Sequence, residues 1–344
     1  MASRVDAVRK THCLANKLQM KNRNYARKVV RFFADALEDD LGRGDITTGA
    51  LLISTMPMSA MPVSTMPRSG LTRAELIARD SGILAGMEEL SYAFKTIELR
   101  KFFGSIRLQT FYRDGQHMRK NSMIAVLTGQ ASAILQIERT ILNFLQRMSG
   151  IATLTNKYVR KVPASILVVP TRKTLWGVLD KKACLRGGGG THRLNLADAI
   201  MVKDTHLELL QHDFGKILKL LQFALLDLRP KGVPDCHFFE IEIEKFEDGL
   251  KLARLIHQGN MRFAKPLYVL LDNMSPALAV KTIAAMRKIT RVLFFEISGG
   301  INLENIGLYA KTGADLISVG ALTHSAPALD ISLKIRPEIE QERS

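Results

Sequence analysis

At 344 residues, with 47% apolar and 24% charged side chains, the chain is long enough for one large or two ordinary domains, and its balance excludes a disordered protein. No apolar run approaches the ~18 residues of a membrane span, and Cys13, Cys184 and Cys236 suit a reducing compartment and make no zinc pattern. The formal charge of +16 raises nucleic acid as a partner, but about half of the excess sits in residues 1–31, and neither part interleaves basic residues with stacking aromatics.

Residues 1–24 form a basic extension, read as a solvated arm or, alternatively, as an organelle-import segment. An N-terminal α+β domain is expected over 25–148. It opens with a helix over 25–41, whose Val29, Phe33, Leu37 and Leu41 share a face, and Gly42 and Gly44 end it. Residues 54–69 repeat a Met-Pro pair in a low-complexity run, read as an exposed loop. Strands are expected at 76–78, 108–112 and 123–127, and a helix at 87–96. A turn is expected at Arg113-Asp114-Gly115, with His117 beside it solvated. The helix over 131–148 puts Ile134, Ile137, Ile141, Leu145 and Met148 on one face, and periodicity leaves Arg139 on the opposite, solvated one.

After Gly150 short apolar runs recur at 166–169, 199–202, 238–243, 267–271, 292–297 and 315–319, with helical stretches between them. Runs of that kind are strands buried on both faces, which predicts a parallel sheet and an open (β/α) barrel of about six strands over 149–325. A tail, 326–344, follows and is expected to return to the N-terminal domain.

Catalytic residues of such barrels sit where the strands end. Here the runs end on Thr171-Arg172-Lys173, Lys203-Asp204, Glu242, Asp272-Asn273, Ser298-Gly299-Gly300 and Gly320, and a glycine run, Gly187 to Gly190, delivers His192 and Arg193. The cations suit a small, multiply anionic ligand. The glycine turns after the last two runs, each opening a helix, suit a phosphate. The glycine run is not a P-loop, and reads as a mobile turn that lets backbone approach a ligand. Glu240, Glu242 and Glu244 alternate along one strand. A barrel interior tolerates charge only near its mouth, so Glu242 and Glu244, not Glu240, are the mouth candidates. With Asp272, they could hold a divalent metal or sugar hydroxyls.

In order, Gly44-Asp45-Ile46-Thr47-Thr48, Glu138 to Asn143, Thr171-Arg172-Lys173-Thr174, the glycine run with His192-Arg193, Ile200 to Asp204, Glu240-Ile241-Glu242, Leu271-Asp272-Asn273, Ser298 to Ile301 and Ser318-Val319-Gly320 resemble quinolinate phosphoribosyltransferase. The resemblance implies transfer of phosphoribose from PRPP, with Mg2+, to quinolinate, giving nicotinate mononucleotide, carbon dioxide and pyrophosphate. It implies a homodimer or higher oligomer with shared sites, in which Arg139 crosses to the partner. Thr171, Arg172, His192, Arg193 and Lys203 would bind substrate, and Ser298, Gly299, Gly300 and Gly320 the 5′-phosphate. Lys173, Glu242 and Asp272 would be catalytic, the metal lying near the two carboxylates without a direct protein ligand assigned. The chain departs from the pattern at Pro170, at Thr205 and in a shortened 175–186 segment. Neither a membrane nor nucleic acid is expected as partner, and the location is expected to be cytoplasmic. Other readings are a molybdenum-locus relative or another pyridine-carboxylate transferase, a barrel isomerase or lyase, and a basic RNA-binding protein that kept the fold.

Overall fold

The computed structural model describes residues 3–48, 72–104, 106–223 and 236–336, so the Met-Pro loop lies outside the described residues. The chain divides into two compact units. One comprises Met1–Ala15 with Thr155–Ser325, the other Asn16–Leu154 with Ala326–Ser344.

The first unit is built on six parallel strands in the order β6-β11-β10-β9-β8-β7. They are β6 (Leu167–Pro170), β7 (Ala199–Val202), β8 (Phe238–Ile243), β9 (Leu267–Asp272), β10 (Phe294–Ser298) and β11 (Leu316–Val319). Five of the helices between them are Val178–Arg186, Asp204–Leu209, Phe214–Phe223, Phe246–Gln258 and Pro276–Ile289. The strands Phe238–Ile243 and Leu316–Val319 are buried at every position, as continuous apolar runs require in a sheet covered on both faces. β6 and β7 stand at the ends of the order, which makes this an open barrel.

Helix α1 (Arg4–His12) belongs to this unit, and a solvated arm is not what residues 3–15 form. Ser3 and Asp6 close a capping box at its start. Val8 packs with Leu167, Ala199, Phe238, Tyr268 and Leu316, the first or second residues of five strands, so the helix plugs the N-terminal end of the barrel. Arg4 donates to Asp315 at 2.8 Å and to the Leu293 carbonyl, with its guanidinium over the Phe294 ring. The charge count led astray here because it averages over a face. Burial of one Val at such a seam is worth roughly 1.5–3 kcal/mol, and basic residues on the outer face do not oppose it.

The second unit carries an antiparallel sheet, β12-β1-β5-β3, from β1 (Thr72–Ala78), β3 (Arg107–Thr110), β5 (Met123–Gly129) and β12 (Ile331–Arg336), plus the pair β2 (Gly82–Ile83) and β4 (His117–Met118). The tail thus supplies an edge strand, pairing Leu333 with Leu76. Helix α2 (Arg23–Leu41) buries Tyr25, Ala26, Val29, Phe33 and Leu37. Asp114 accepts the Met87 and Glu88 N–H groups and caps the helix Met87–Lys95, while His117 is exposed beside Ser81, as expected. The helix expected to stop near Gly150 runs Ala131–Val159. Gly150 serves close approach rather than termination, since a Cβ there would lie 2.0 Å from the Pro327 carbonyl oxygen.

Candidate active site

Strand direction alone brings the expected residues together. Thr171, Arg172 and Lys173 follow β6, Lys203 follows β7, Glu242 and Asp272 close β8 and β9, and Ser298 ends β10. With His192 and Arg193 they line one cavity of about 360 Å³. Gly299 and Gly300 continue from Ser298, and Gly320 from β11, where Ser318 lines the cavity. Arg139 stands exposed on the helix Ala131–Val159 of the other unit, where periodicity put it.

The cavity has further walls that sequence reasoning missed: Met201, Leu270, Glu296 and Ser318. Each lies two residues before a rim residue, Lys203, Asp272, Ser298 and Gly320. A strand returns to the same face every second residue, so stepping back two from each rim position would have found this layer. The same step from Glu242 reaches Glu240, which is fully buried, contrary to the expectation that charge stays at the mouth.

The interior tolerates these groups because Glu240 is held neutral and His192 meets Glu296 as an opposite charge. His192 Nε2 lies 3.1 Å from Glu296 and 3.5 Å from Glu240. Burial raises the Glu240 carboxyl, and the Glu296 charge adds to the rise, so Glu240 keeps its proton. Burial works the same way on Glu296, yet the His192 charge and hydrogen bond, joined by His12 and Glu240, together outweigh it and hold Glu296 below the usual carboxylate range. Burial would lower His192, but Glu296 and Glu240 raise it above the usual imidazole range. Its Nδ1 lies 2.8 Å from the Arg193 backbone nitrogen, which orients the ring so that Nε2–H points at Glu296.

At the rim, burial pushes Glu242 up to about 7; Lys203, 4.0 Å away, pulls it down, and Asp272 adds to the rise. Glu242, Glu244 and Asp272 can each bring a carboxylate oxygen within 4.8 Å of the others, a set that suits a hard divalent cation. Asn273 donates its amide N–H to the Ser298 carbonyl, which ties the β9 and β10 ends together. The helices expected to open behind the two glycine turns are single turns, Ile306–Tyr309 and Ala321–His324. An anion placed there would meet loop N–H groups more than a helix dipole.

The glycine run is not a mobile turn facing ligand. Gly187, Gly189 and Gly190 are buried, and Gly190 donates to the Val168 carbonyl at 2.8 Å, so the close approach is to β6. The shortened segment forms the helix Val178–Arg186, whose Asp180 accepts the Leu175 and Trp176 N–H groups.

Two family models cover the chain: "Quinolinate phosphoribosyl transferase, N-terminal domain" matches residues 45–149, and the C-terminal domain of the same description matches 151–334. The chain belongs to the quinolinate phosphoribosyltransferase family. Within that family it is 32% identical over 309 residues to a probable nicotinate-nucleotide pyrophosphorylase [carboxylating] of Methanothermobacter thermautotrophicus, covering 88% of this chain and 97% of that protein. It is 35% identical over 279 residues to a quinolinate phosphoribosyltransferase [decarboxylating] of Nicotiana glauca described as mitochondrial, covering 78% of this chain and 75% of that one. NadC from Streptococcus pyogenes superposes with a TM-score of 0.72 at 27% identity, over 90% of this chain and 97% of the other.

Proposed function

We propose that this protein transfers the phosphoribosyl group of PRPP to the ring nitrogen of quinolinate with decarboxylation, yielding nicotinate mononucleotide, carbon dioxide and pyrophosphate. The observation that carries this is the single cavity in which Arg172, Lys173, Arg193 and Lys203 meet Glu242, Asp272 and Ser298 in a member of this family. Two dianionic or more highly charged substrates need cations to coexist, and guanidinium groups match carboxylate geometry. Thr171, Arg172, His192, Arg193 and Lys203 hold the quinolinate carboxylates. Ser298, Gly299, Gly300 and Gly320 hold the 5′-phosphate.

As pyrophosphate departs, positive charge develops on the ribose, and Glu242 and Asp272 stabilise it electrostatically. Bound with PRPP, Mg2+ would neutralise the pyrophosphate; Glu242 and Asp272 are the residues disposed to hold it, the charge set at the rim fitting that role. The cationic ring nitrogen then stabilises electrostatically the carbanion left at the adjacent carbon when carbon dioxide leaves, and that carbon takes a proton from Lys173 or water in place of the lost carboxylate. Positioning and charge suffice, and no protein nucleophile is required.

Incubation with quinolinate, PRPP and Mg2+ should release nicotinate mononucleotide and carbon dioxide in equal amounts, read by chromatography and by label from the quinolinate 2-carboxylate. Saturating substrates without product would overturn the reading. None of the described helices is long and apolar enough to cross a membrane. We propose a cytoplasmic location, in which residues 3–15 are retained as the barrel plug.

A further inference from the structure

Helix α1 does more than fill the barrel's end. Its last residue, His12, offers a carbonyl that accepts the Thr191 N–H at 2.7 Å, the His192 N–H at 3.1 Å and the Thr191 hydroxyl at 3.0 Å. Leu14 N–H returns a bond to that hydroxyl at 3.1 Å, and Lys181 Nζ donates to the Thr191 carbonyl at 2.7 Å. A Cβ on Gly190 would come within 2.8 Å of the same His12 carbonyl oxygen. The segment so clamped presents His192 and Arg193 to the cavity, and it does so with His192 at φ 51, a left-handed conformation that a β-carbon-bearing residue rarely adopts. Such a backbone persists only where its surroundings over-determine it.

The His12 ring does not line the cavity; it lies fully buried behind His192, which does. It stacks on Phe238 at 4.1 Å and meets His192 and Tyr268 edge-on at 5.0 and 4.6 Å. Its Nδ1 is 2.8 Å from the Thr11 hydroxyl, which also meets the Tyr268 hydroxyl at 2.8 Å. Nε2 has no hydrogen-bond partner among the described residues. With His192 and Glu296 the ring could form a metal set, but Lys181 and Arg193 crowd the same cluster with positive charge, which disfavours a cation.

We propose that α1 is a built-in support behind the substrate site and that His12 is a positioning residue: its carbonyl and ring hold the Thr191–Arg193 segment in place, and that segment presents His192 and Arg193 to the pyridine dicarboxylate. This rests on the quinolinate reading of the cavity. It assigns α1 to the base half of the reaction and not to the phosphoribosyl half, which binds at Ser298 and Gly320 on other strands.

The test uses the full chain. His12→Ala removes the stacked ring, and the quinolinate KM should rise about tenfold while the PRPP KM stays within about twofold; His12→Phe, which keeps the flat stacked shape, should recover most of the loss. Linkage supplies a second measurement on the unaltered protein: if α1 orders the site, quinolinate must order α1 in return. Backbone hydrogen exchange over residues 8–14 should slow on adding quinolinate. An unchanged quinolinate KM in His12→Ala, or both KM values rising alike, overturns the inference. So does exchange that quinolinate leaves unaltered in a turning-over enzyme, even when the variant fails to fold. An unaltered protein that neither turns over nor binds quinolinate instead refutes the functional reading.

Discussion

Glu242 is the residue at which stability and chemistry oppose each other. Its carboxyl sits at about 7 when folded against an ordinary 4.5, so the folded state holds a proton that the unfolded chain has lost between those values. Stability from this group therefore falls as pH rises through that window and stays lower above it. Glu242→Gln should raise the melting temperature at pH 8 by roughly 1–3 °C and leave it unchanged at pH 4, where both states of the native residue are protonated. The same substitution should lower kcat by about 10²-fold or more, because an ionised carboxylate is what the ribosyl charge needs. For the native enzyme, kcat/KM should fall below about pH 7 as Glu242 protonates. A pH-independent rate from pH 5 to 8 would remove Glu242 from the electrostatic role. Scanning calorimetry and steady-state rates across pH measure both halves.

At the scale of elements, the turn after β10 separates two glycines that look alike in sequence. Gly299 has φ 92, and a Cβ there would lie 2.2 Å from the Asn273 side-chain oxygen and 2.7 Å from its backbone nitrogen. Gly300 has φ 61 with nothing within 4 Å. Gly299→Ala should destabilise by roughly 2–4 kcal/mol and raise the PRPP KM, while Gly300→Ala should cost only about 1 kcal/mol. Denaturant midpoints for the pair check the order; equal shifts would mean that the contact with Asn273 does not matter. Strand ends and their rim residues could be read directly because a parallel strand covered on both faces declares itself as an apolar run. The glycine run misled, because glycine records only that something approaches closely. At Gly189 and Gly190 that something is β6 and the His12 carbonyl.

For the whole molecule, the family resemblance sends Arg139 to a neighbouring copy's cavity, and its exposure on the helix Ala131–Val159 leaves it available for that. We expect an assembly with shared sites. Inactive Arg139→Ala and inactive Lys173→Ala subunits, mixed and allowed to exchange, should then recover up to about a quarter of native activity, because only mixed pairs rebuild one intact site. Heterodimers that form, as shown by native mass spectrometry, yet remain inactive would place Arg139 outside the site.

The barrel, its six strands and the residues at its rim can be read along the chain, because the burial pattern and the residue ending each strand are local properties. Only the tertiary structure decided the layer beneath. Glu240, Glu296 and His192 come from positions far apart in sequence, and burying them is tolerable only because they meet, with Glu240 held neutral and His192 opposite the Glu296 charge. It also decided the fate of the basic N-terminus. Charge count describes the outward face of α1, whereas Val8 and His12 point inward, and no local pattern in nine residues reveals that the barrel's open end is waiting for them.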